Sequence, residues 1–413
     1  MSNAPAFAPL RSLDDALAAL LRQVSAVHEV EEISSFEADG RVLAHDLVSP
    51  VSVPGFDNSA MDGYALRSQD CTAPGVVFDV AQRIAAGQSG QSLLAGQAAR
   101  IFTGAPLPEG ADAVVMQEDC SALANGQVQI HRVPTGGQWI RRAGEDIRKD
   151  SVVLSKGTLL TPVSIGLAAS MGFASLPVLR RCTVALFSTG NELVMPGQIA
   201  PQDLPPGAIY NSNRFFLRAL LLRCGVQVTD LGIVPDDLAA TVQALQGAAQ
   251  NHDLILTSGG VSVGEEDHIK PAVQQLGALD LWSISMKPGK PFAYGHIGGT
   301  HFIGLPGNPV SSLVTFLLLV QPFLARLQGQ MHVTGAMHFI AACANFTLPK
   351  ADKRREFLRV RQNMDGGLDL HPNQSSGVLT SAVWADGLVD NPAGRTIAKG
   401  DMVRYIPFAH LMP

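Results

Sequence analysis

Glycines, serines, lysines and carboxylates gather in short segments between residues 184 and 311, where together they could bind an anion. The segment 258–264 reads Ser-Gly-Gly-Val-Ser-Val-Gly and follows an apolar run. Its glycines would let backbone N–H groups approach a phosphate closely, and the start of a following helix favours negative charge. A tight turn is the alternative, but seven residues are long for a turn, and the Gly-Lys-Ser/Thr of a Walker A motif does not follow. We interpret the segment as an anion-binding loop with the candidate residues Ser258, Gly259, Gly260, Ser262 and Gly264.

Two lysines flank a Pro-Gly turn in the same part of the chain, at Lys287 and Lys290. The chain has only eight lysines, so two within four residues are notable. Solvated surface lysines are the ordinary alternative. Because Pro288 and Pro291 restrict this backbone, the pattern favours a positioned positive charge.

Carboxylates also cluster here, and beside a phosphate site they indicate Mg²⁺, a hard cation that prefers oxygen ligands. The candidates are Glu192, Asp236, Asp237, Glu265, Glu266 and Asp267. Asp236 and Asp237 could equally cap a helix, whereas Glu192 and Asp267 are stronger candidates for ligands or ligand-orienting groups. Further along, Pro306, Gly307 and Asn308 precede an apolar helix; Asn308 can serve as its N-cap without excluding ligand contact by the exposed N–H groups.

Two polar clusters lie outside this region, at residues 57–64 and 141–146. The first is rich in turn-forming residues, and the second pairs arginines with acidic residues. From the residues alone each is interpreted as a surface loop. No Ser-His-Asp arrangement or GxSxG elbow stands out, so nucleophilic hydrolysis is not indicated.

The elements that must position these loops are apolar strands alternating with helices, which predict a mostly parallel sheet covered on both faces. Ligands bind such sheets outside the carboxyl ends of the strands, where all the loops above fall. The predicted strands are Val184–Ser188, Val226–Leu231, Asp253–Thr257, Trp282–Met286 and His301–Leu305. The predicted helices are Arg214–Arg223, ending at Gly225, Leu238–Ala249, and the apolar segment after Pro309.

The flanking regions have other patterns. Residues 12–27 predict a helix capped by Ser12, with a stripe formed by Leu13, Leu17, Leu20 and Leu21. Short β-like runs from about Ser49 to Thr161 predict one or two irregular β-rich modules. After about Gln330 we expect helices to stop and a small β-barrel or sandwich to close the chain, with strands at Ala341–Leu348, Glu356–Gln362 and Met402–Ile406 and a hairpin turn at 365–367.

Bulk properties narrow the function. The 413 residues are too many for one hydrophobic core, so several domains are expected. A net charge of −6 and a pI near 6.0 argue against nucleic-acid or anionic-membrane binding. The five scattered cysteines indicate neither zinc nor a disulfide framework. No signal peptide is visible, and polar residues interrupt the apolar run 310–325, so we expect a buried helix and a cytoplasmic protein.

Taken together, these segments resemble one family, the molybdopterin molybdenumtransferases (MoeA of bacteria and the E domain of gephyrin and of plant homologues). The matching stretches run in order over nearly the whole chain: 54–64, 101–106, 142–146, 188–193, 258–264, 287–291 and 305–311. The sheet-domain motifs are shared with the molybdopterin adenylyltransferases; the N-terminal modules and the β-rich tail separate the two families.

The resemblance implies a fold and its domains. It implies a multidomain α/β protein with a central doubly wound, mostly parallel sheet domain of the molybdopterin-binding type at 181–330. The N-terminal modules are β-rich: a linker and dimerisation module at 1–53 plus 142–180, and an inserted module at 54–141. A small C-terminal β-barrel occupies 331–413.

The resemblance also implies a reaction: the enzyme would bind adenylylated molybdopterin and molybdate, use Mg²⁺, insert molybdenum at the dithiolene and release AMP. The implied functional positions are Asp62, Thr103, Asp146, Glu192, Asp236, Asp267 and Lys287, with Lys290 close by. Glu192, Asp236 and Asp267 are the candidates for the metal. Arg359 and Ser376 resemble the family's molybdate-contacting pair, and Ser283 stands where some relatives carry a lysine of the site.

The family forms an elongated homodimer in which each active cleft combines the sheet and tail of one subunit with the module carrying Asp62 and Thr103 of the other. The loops 57–64 and 141–146 are therefore expected to be functional rather than ordinary surface loops. We also expect transient contact with the adenylyltransferase. Two alternatives stay open: an adenylyltransferase that consumes ATP, and a scaffold protein, since the gephyrin E domain also binds receptor loops.

Overall fold

The computed structural model of the chain describes residues 10–260, 268–331, 333 and 338–412, with the side chain of Leu281 left out. Its centre is a six-stranded sheet, here called the central sheet. In spatial order its strands are Gln227–Val234, Thr183–Thr189, Leu254–Ser258, Thr300–Leu305, Pro291–Ile297 and Gly277–Ser283. Neighbours are parallel except at Pro291–Ile297, which runs against both of its partners. The predicted mostly parallel sheet is therefore confirmed.

Helices cover both faces of the central sheet, as expected for strands without alternating polarity. Along Thr183–Thr189, Val184 and Leu186 face one apolar cluster while Ala185 and Phe187 face another. The first cluster contains the helices Leu13–Arg22, Ser212–Arg223 and Pro309–Leu327. The second contains Leu238–Ala249 and Ile269–Leu276. The sheet is thus doubly wound.

The helix Pro309–Leu327 is long and apolar enough to cross a membrane, but 78% of its most apolar window is buried inside the protein. Its middle, Phe316–Val320, is a π-helical turn in which the N–H of Gln321 reaches back to the carbonyl of Phe316. Pro322 has no N–H to donate, and such a residue disturbs the regular α-helical ladder. The helix belongs to the protein core, as the interrupted apolar run predicted.

Several predicted boundaries differ from the structure. The first helix ends at Arg22 rather than near residue 27, with Gln23 as its C-cap. The predicted strand Trp282–Met286 is wrong: the chain leaves the central sheet after Ser283, and Met286–Lys287 instead pairs with Arg355–Glu356 of the C-terminal sheet. The strand Pro291–Ile297 was not predicted. A single apolar run here serves two sheets, which periodicity alone cannot divide.

The N-terminal part contains a second six-stranded sheet, here called the inserted sheet. Its spatial order is Ala113–Met116, Gly63–Leu66, Gln97–Ile101, Val77–Ile84, Gln127–Ile130 and Cys120–Ala122. The chain before and after it forms antiparallel pairs, Val30–Ser34 with Ser175–Leu179 and Leu47–Val48 with Val152–Leu154, and the helix Pro162–Ser170. Asn58–Ser59 pairs with Ile140–Arg141 at the junction. The β-rich N-terminal modules are confirmed; their exact boundaries stay a prediction.

The C-terminal sheet has the order Met286–Lys287, Arg355–Gln362, Gly387–Asn391, Met402–Pro407 and Ile340–Cys343, with Leu368–Leu370 beside Arg355–Gln362. A bridge between Ala344 and Leu368 joins its two sides, so the sheet closes into a small barrel. The hairpin at 365–367 is confirmed, and Gly366 takes a φ of +79° there. The expectation that helices stop is wrong, because Leu379–Trp384 and Phe408–Leu411 are helical. Both are short and pack against the central-sheet side.

Candidate active site

A cleft of about 810 Å³ opens at the carboxyl edge of the central sheet, a volume within the usual range for small-molecule sites. It lies where the resemblance and the strand pattern both place the anion site. Its described lining includes eight predicted site residues, Glu192, Asp236, Ser258, Gly259, Gly260, Pro306, Gly307 and Asn308, and also Gly377.

The glycine loop has a backbone that requires glycine. Gly259 and Gly260 take φ values of +94° and +67°. A Cβ on Gly260 would lie 2.5 Å from the Ile269 side chain, and one on Gly259 would lie 3.3 Å from the Thr189 carbonyl oxygen. This permits close approach of a ligand to the main chain. The other candidates of this loop, Ser262, Gly264 and Asp267, lie outside the described residues.

A buried polar network fixes the floor of the cleft. Asn213 donates from Nδ2 to the Ser258 hydroxyl at 2.8 Å and to the Gly307 carbonyl at 2.7 Å. The Ser312 hydroxyl donates to the Pro306 carbonyl at 2.7 Å. Ser258 is thus engaged with the protein, and its hydroxyl holds two loops together. Asn213 is not among the residues predicted from the sequence; its position one residue inside a helix start, after a polar turn, is the available signal.

Asn308 behaves differently from the prediction. It stands at the N-cap position of Pro309–Leu327, but its side chain makes no capping hydrogen bond and is exposed. The first free N–H of that helix, at Val310, donates instead to the Ser376 carbonyl at 3.0 Å. The carbonyl from the barrel loop takes over part of the cap's role. The Asn308 amide therefore stays available at the cleft.

The two aspartates at the helix Leu238–Ala249 divide the roles that sequence analysis left open. Asp237 is the N-cap, accepting from the Ala240 N–H at 2.8 Å. Asp236 lines the cleft and, among the described residues, has no hydrogen-bond or ion-pair partner there. Glu192 lines the cleft too, with its carboxylate folded over Gly190, where a Cβ would come 2.5 Å from Oε2.

No group of three or more His, Cys, Asp or Glu residues arranged for a metal ion occurs in the described part of the chain. The third predicted metal candidate, Asp267, is outside it. Glu192 and Asp236 remain two carboxylates that share the cleft and have no hydrogen-bond or ion-pair partner for their side chains among the described residues.

In the lysine turn at 287–290, Lys287 contacts the C-terminal barrel instead of the cleft. Lys287 Nζ donates to Glu356 Oε1 at 2.9 Å and lies 3.4 Å from Asp352 Oδ2, and these contacts raise the pKa of Lys287, with the Glu356 hydrogen bond as the largest cause. Lys290 is exposed. Neither lysine is among the residues that line the cleft, although Pro291 is. The positive charge of Lys287 is already matched by carboxylates of the barrel.

Arg359 is the most unusual charged group near the cleft. Its side chain is 1% exposed, and burial lowers the pKa of the guanidinium to about 10. Its polar contacts are neutral: it donates to the Ser381 hydroxyl at 3.2 Å and to the carbonyls of Phe357 and Ser375 at 3.2 and 3.3 Å. Within the described chain no carboxylate lies within ion-pair distance of Arg359, unlike the neighbouring Arg355, which holds Asp390 at 2.6 Å.

The loop that touches Arg359 leads into the cleft. Ser375 accepts from Arg359, Ser376 accepts from the helix start at Val310, and Gly377 lines the cleft itself. Gln374 clasps the Arg359 backbone, accepting from its N–H at 2.9 Å and donating to its carbonyl at 3.0 Å. The predicted pair Arg359 and Ser376 therefore lies beside the cleft. A buried cation without a counter-ion is costly, so the arrangement is suited to an anionic ligand.

The remaining predicted residues lie outside the cleft. Thr103 donates both its N–H and its hydroxyl to Asp62 Oδ1 at 2.8 Å, and the N–H bond is the main reason that the pKa of Asp62 is lowered. Asp57 accepts from Arg142 at 2.6 Å and from the Ala143 N–H at 2.8 Å, which joins the two polar loops.

Asp146 is exposed on the second of these loops. No described lining residue of the cleft comes from residues 54–146. The two polar loops thus form one joined surface of the N-terminal modules, apart from the cleft of the same chain.

Comparisons with known proteins cover nearly the whole chain. Residues 11–172 match the model of the MoeA N-terminal region (domain I and II), residues 185–326 that of a probable molybdopterin binding domain, and residues 341–408 that of the MoeA C-terminal region (domain IV). A molybdopterin molybdenumtransferase of Haemophilus influenzae is 41% identical over 97% of this chain and 99% of its own length.

A second molybdopterin molybdenumtransferase, from Synechococcus elongatus, is 36% identical over 89% of this chain and 91% of its own length. Among solved structures, the molybdopterin biosynthesis moeA protein of Pyrococcus horikoshii OT3 is similar with a TM-score of 0.83 and 27% identity, covering 96% of this chain and 99% of that one. The similarity therefore extends over the N-terminal modules and the barrel as well as the central sheet.

Proposed function

This chain belongs to the molybdopterin molybdenumtransferase (MoeA) family of transferases in molybdenum cofactor biosynthesis, and from this premise we propose that it inserts molybdenum from molybdate into adenylylated molybdopterin and releases AMP. The three family matches include the N-terminal modules and the barrel, which an adenylyltransferase built on the central sheet alone would leave without a role.

The observation that carries the proposal is the buried guanidinium of Arg359, 1% exposed and without a carboxylate partner in the described chain. Molybdate is a tetrahedral dianion. It would supply the missing negative charge and accept hydrogen bonds from the fork of the guanidinium. Ser376 stands on the loop that joins Arg359 to the cleft, so an anion held there would lie next to whatever the cleft binds.

The cleft suits the phosphates of the pterin nucleotide. Gly259 and Gly260 place no side chain of their own over the main chain, and Asn308 offers an amide without a capping partner. Its volume of about 810 Å³ is sufficient for a large small-molecule ligand. We assign Ser258, Gly259, Gly260, Pro306, Gly307 and Asn308 to this pocket, with Ser258 as a supporting residue.

The carboxylates of Glu192 and Asp236 fit the demands of Mg²⁺, which takes oxygen ligands and keeps several waters. Both line the cleft, and neither side chain has a partner in the part of the chain that the structure describes. We propose that these two residues hold the ion, with Asp267 of the adjoining segment as the third candidate. When bound, Mg²⁺ would neutralise charge on the phosphate groups.

Asp62, Thr103 and Asp146 lie outside the cleft of their own chain, and we propose that they complete the cleft of a second copy in a homodimer. Asp62 has one oxygen occupied by Thr103 and one that is free of the hydrogen bonds described. A protein that delivers the adenylylated pterin, such as the adenylyltransferase, would make transient contact near the same opening.

Supplying the purified chain with adenylylated molybdopterin and Mg²⁺, with and without molybdate, tests this function. We expect AMP release that depends on molybdate, together with cofactor that activates a molybdenum enzyme lacking it. Well-folded protein that releases no molybdate-dependent AMP would refute the proposal. Consumption of ATP with unmodified molybdopterin would favour the adenylyltransferase instead.

A further inference from the structure

Two arginines stand side by side on the inserted sheet without carboxylate partners. The strands Val77–Ile84 and Gln97–Ile101 are parallel, and their register places Arg83 opposite Arg100. Like charges directly opposite each other destabilise a strand pair. Nearby arginines do pair, Arg67 with Asp70 and Arg142 with Asp57. In the described part of the chain, neither Arg83 nor Arg100 forms such an ion pair, so no salt bridge offsets their mutual repulsion.

Aromatic rings hold both guanidinium groups in place. The Phe102 ring centroid lies 4.4 Å from the Arg83 guanidinium carbon and 4.7 Å from that of Arg100. Tyr64, cross-strand neighbour of Arg100, adds a ring centroid at 5.2 Å. A cation over an aromatic face is attracted to it while its N–H groups at the edge stay free for other partners. The two charges are therefore oriented as well as close.

Two hydrogen bonds also hold the Arg100 guanidinium in place, while its other N–H donors have no acceptor among the described residues. It donates to the Gly63 carbonyl at 3.0 Å and to Gln117 Oε1 at 2.6 Å. A guanidinium has five N–H donors, and Arg83 donates to none of the described residues. The surface thus presents several directed donors and up to two positive charges.

This surface adjoins the residues proposed to reach a second subunit's cleft. Thr103 follows Phe102 in the chain and binds Asp62, and Arg100 contributes to the lowered pKa of Asp62. Of the acidic groups near Arg100, Asp62 interacts with it electrostatically, and Glu118 and Asp119 follow its hydrogen-bond acceptor Gln117 in the chain.

We propose that Arg83 and Arg100 form a binding site for the phosphate of the pterin nucleotide and, after turnover, of AMP. The assignment of the nucleotide rests on the proposed function; the phosphate site rests on the two stacked guanidinium groups. Guanidinium forks match phosphate oxygens with paired hydrogen bonds, and two of them suit a dianion. The inserted sheet would thereby bind the substrate's phosphate from the side opposite the glycine loop.

The test titrates the full chain with AMP, comparing wild type with the double variant R83Q/R100Q and the matched control R132Q. Arg132 is exposed on the same module and belongs to no aromatic stack. We expect R83Q/R100Q to raise the Kd for AMP about tenfold or more, the effect of losing charge-assisted hydrogen bonds, while R132Q keeps the wild-type Kd. R83Q alone, which removes no hydrogen bond, should give a smaller increase and decides the matter if the double variant does not fold.

Equal AMP affinity in R83Q/R100Q and R132Q, or no AMP binding by the wild type, would overturn this inference. This test can fail independently of the proposed function, because the two failures give different results. A wild type that binds AMP through these arginines but shows no molybdate-dependent AMP release would keep the phosphate site and reject the reaction. An active wild type whose AMP affinity is indifferent to Arg83 and Arg100 would do the reverse.

Discussion

At the scale of single residues, the candidate site contains groups that lack their ordinary partners among the described residues. Arg359 is buried among neutral acceptors, Asp236 and Glu192 face the cleft, and Asn308 gives its capping role to the Ser376 carbonyl. A buried charge without a partner lowers the stability of the folded protein, which applies to Arg359, whereas the exposed Glu192 and Asn308 are solvated and remain open to a ligand. Their coincidence at one opening is best explained by a ligand with both anionic and cation-binding groups.

Gly190 provides a first prediction. Its φ of +141° and the Glu192 carboxylate above it leave no room for a Cβ. Gly190→Ala should lower the free energy of unfolding by about 1–3 kcal/mol and also displace Glu192, reducing turnover. Gly197→Ala is the matched control, because Gly197 has a φ of +89° with open space around it. It should lose stability and keep its turnover; equal turnover in both variants would separate Glu192 from the chemistry.

Some residue-level features could be read from the sequence and others could not. The glycine loop, Asp62 with Thr103, and the position of Arg359 follow from motif and resemblance. The lysine turn was expected to present charge to the ligand, yet Lys287 pairs with Glu356 because its short strand joins the barrel. Which sheet takes Met286–Lys287 depends on contacts nearly seventy residues away, at Arg355–Glu356, and local pattern carries no such information.

At the scale of elements, two adjacent residues at the start of the helix Leu238–Ala249 have different roles. Asp237 caps the helix through the Ala240 N–H, and Asp236 faces the cleft. The start of this helix therefore carries one residue that stabilises the fold and one that is available to a ligand.

The adjacent aspartates give a second prediction. Asp237→Ala should lower the free energy of unfolding by about 1 kcal/mol through the lost cap and leave kcat/KM near the wild-type value. Asp236→Ala should keep the unfolding midpoint in urea and reduce kcat/KM about tenfold or more, as expected for the loss of a contact to a charged ligand. The opposite pattern, with activity lost only at Asp237, would reverse the two assignments.

Element types followed from the sequence better than element partners did. The strands without alternation and the capped helices around Gly225 and Asp237 were predicted because their signals are local. The strand Pro291–Ile297 escaped prediction because its run of Pro, Gly and aromatic residues looks like an extension of the lysine turn. Its direction is set by the hairpin with Thr300–Leu305, which ends in Gly298 and Gly299.

At the scale of the whole molecule, cleft and N-terminal loops are apart in one chain, which is the basis for the proposed shared site. A third prediction follows. Heterodimers purified with two different tags, one subunit Asp62→Asn and the other Asp236→Asn, should regain about half of wild-type activity, because one of two symmetric sites is intact. Each homodimeric variant should be nearly inactive. A heterodimer as inactive as its parents would place each complete site within one chain.

A buried histidine gives a fourth prediction, for stability against pH. His301 lies at the edge of the central sheet opposite the cleft and is 7% exposed, and burial, helped by His296, lowers its pKa from 6.5 to about 4. Tyr294 OH bridges the two histidines at 2.9 Å, and Asp253 acts weakly in the other direction. Between these values the unfolded chain binds the proton and the folded chain does not.

The contribution of His301 to the free energy of unfolding should therefore be fully present above about pH 6.5. It should be lost as the pH falls towards 4, by up to about 3 kcal/mol. Urea unfolding at several pH values measures this loss. His301→Asn keeps a hydrogen-bond partner near Tyr294 without the titration, so its unfolding free energy should depend less on pH in this window. An identical pH dependence in the two proteins would assign the effect to other groups.

We propose that the buried Arg359 binds molybdate beside the cleft, and the KM for molybdate in AMP release is the measurement that checks this role. Arg359→Met should raise this KM at least about tenfold, the effect of losing charge-assisted hydrogen bonds, and Arg359→Lys should recover part of it. Arg361→Met, an exposed change two residues along the same strand, should leave it unchanged. A folded Arg359→Met variant with the wild-type KM for molybdate would contradict the account.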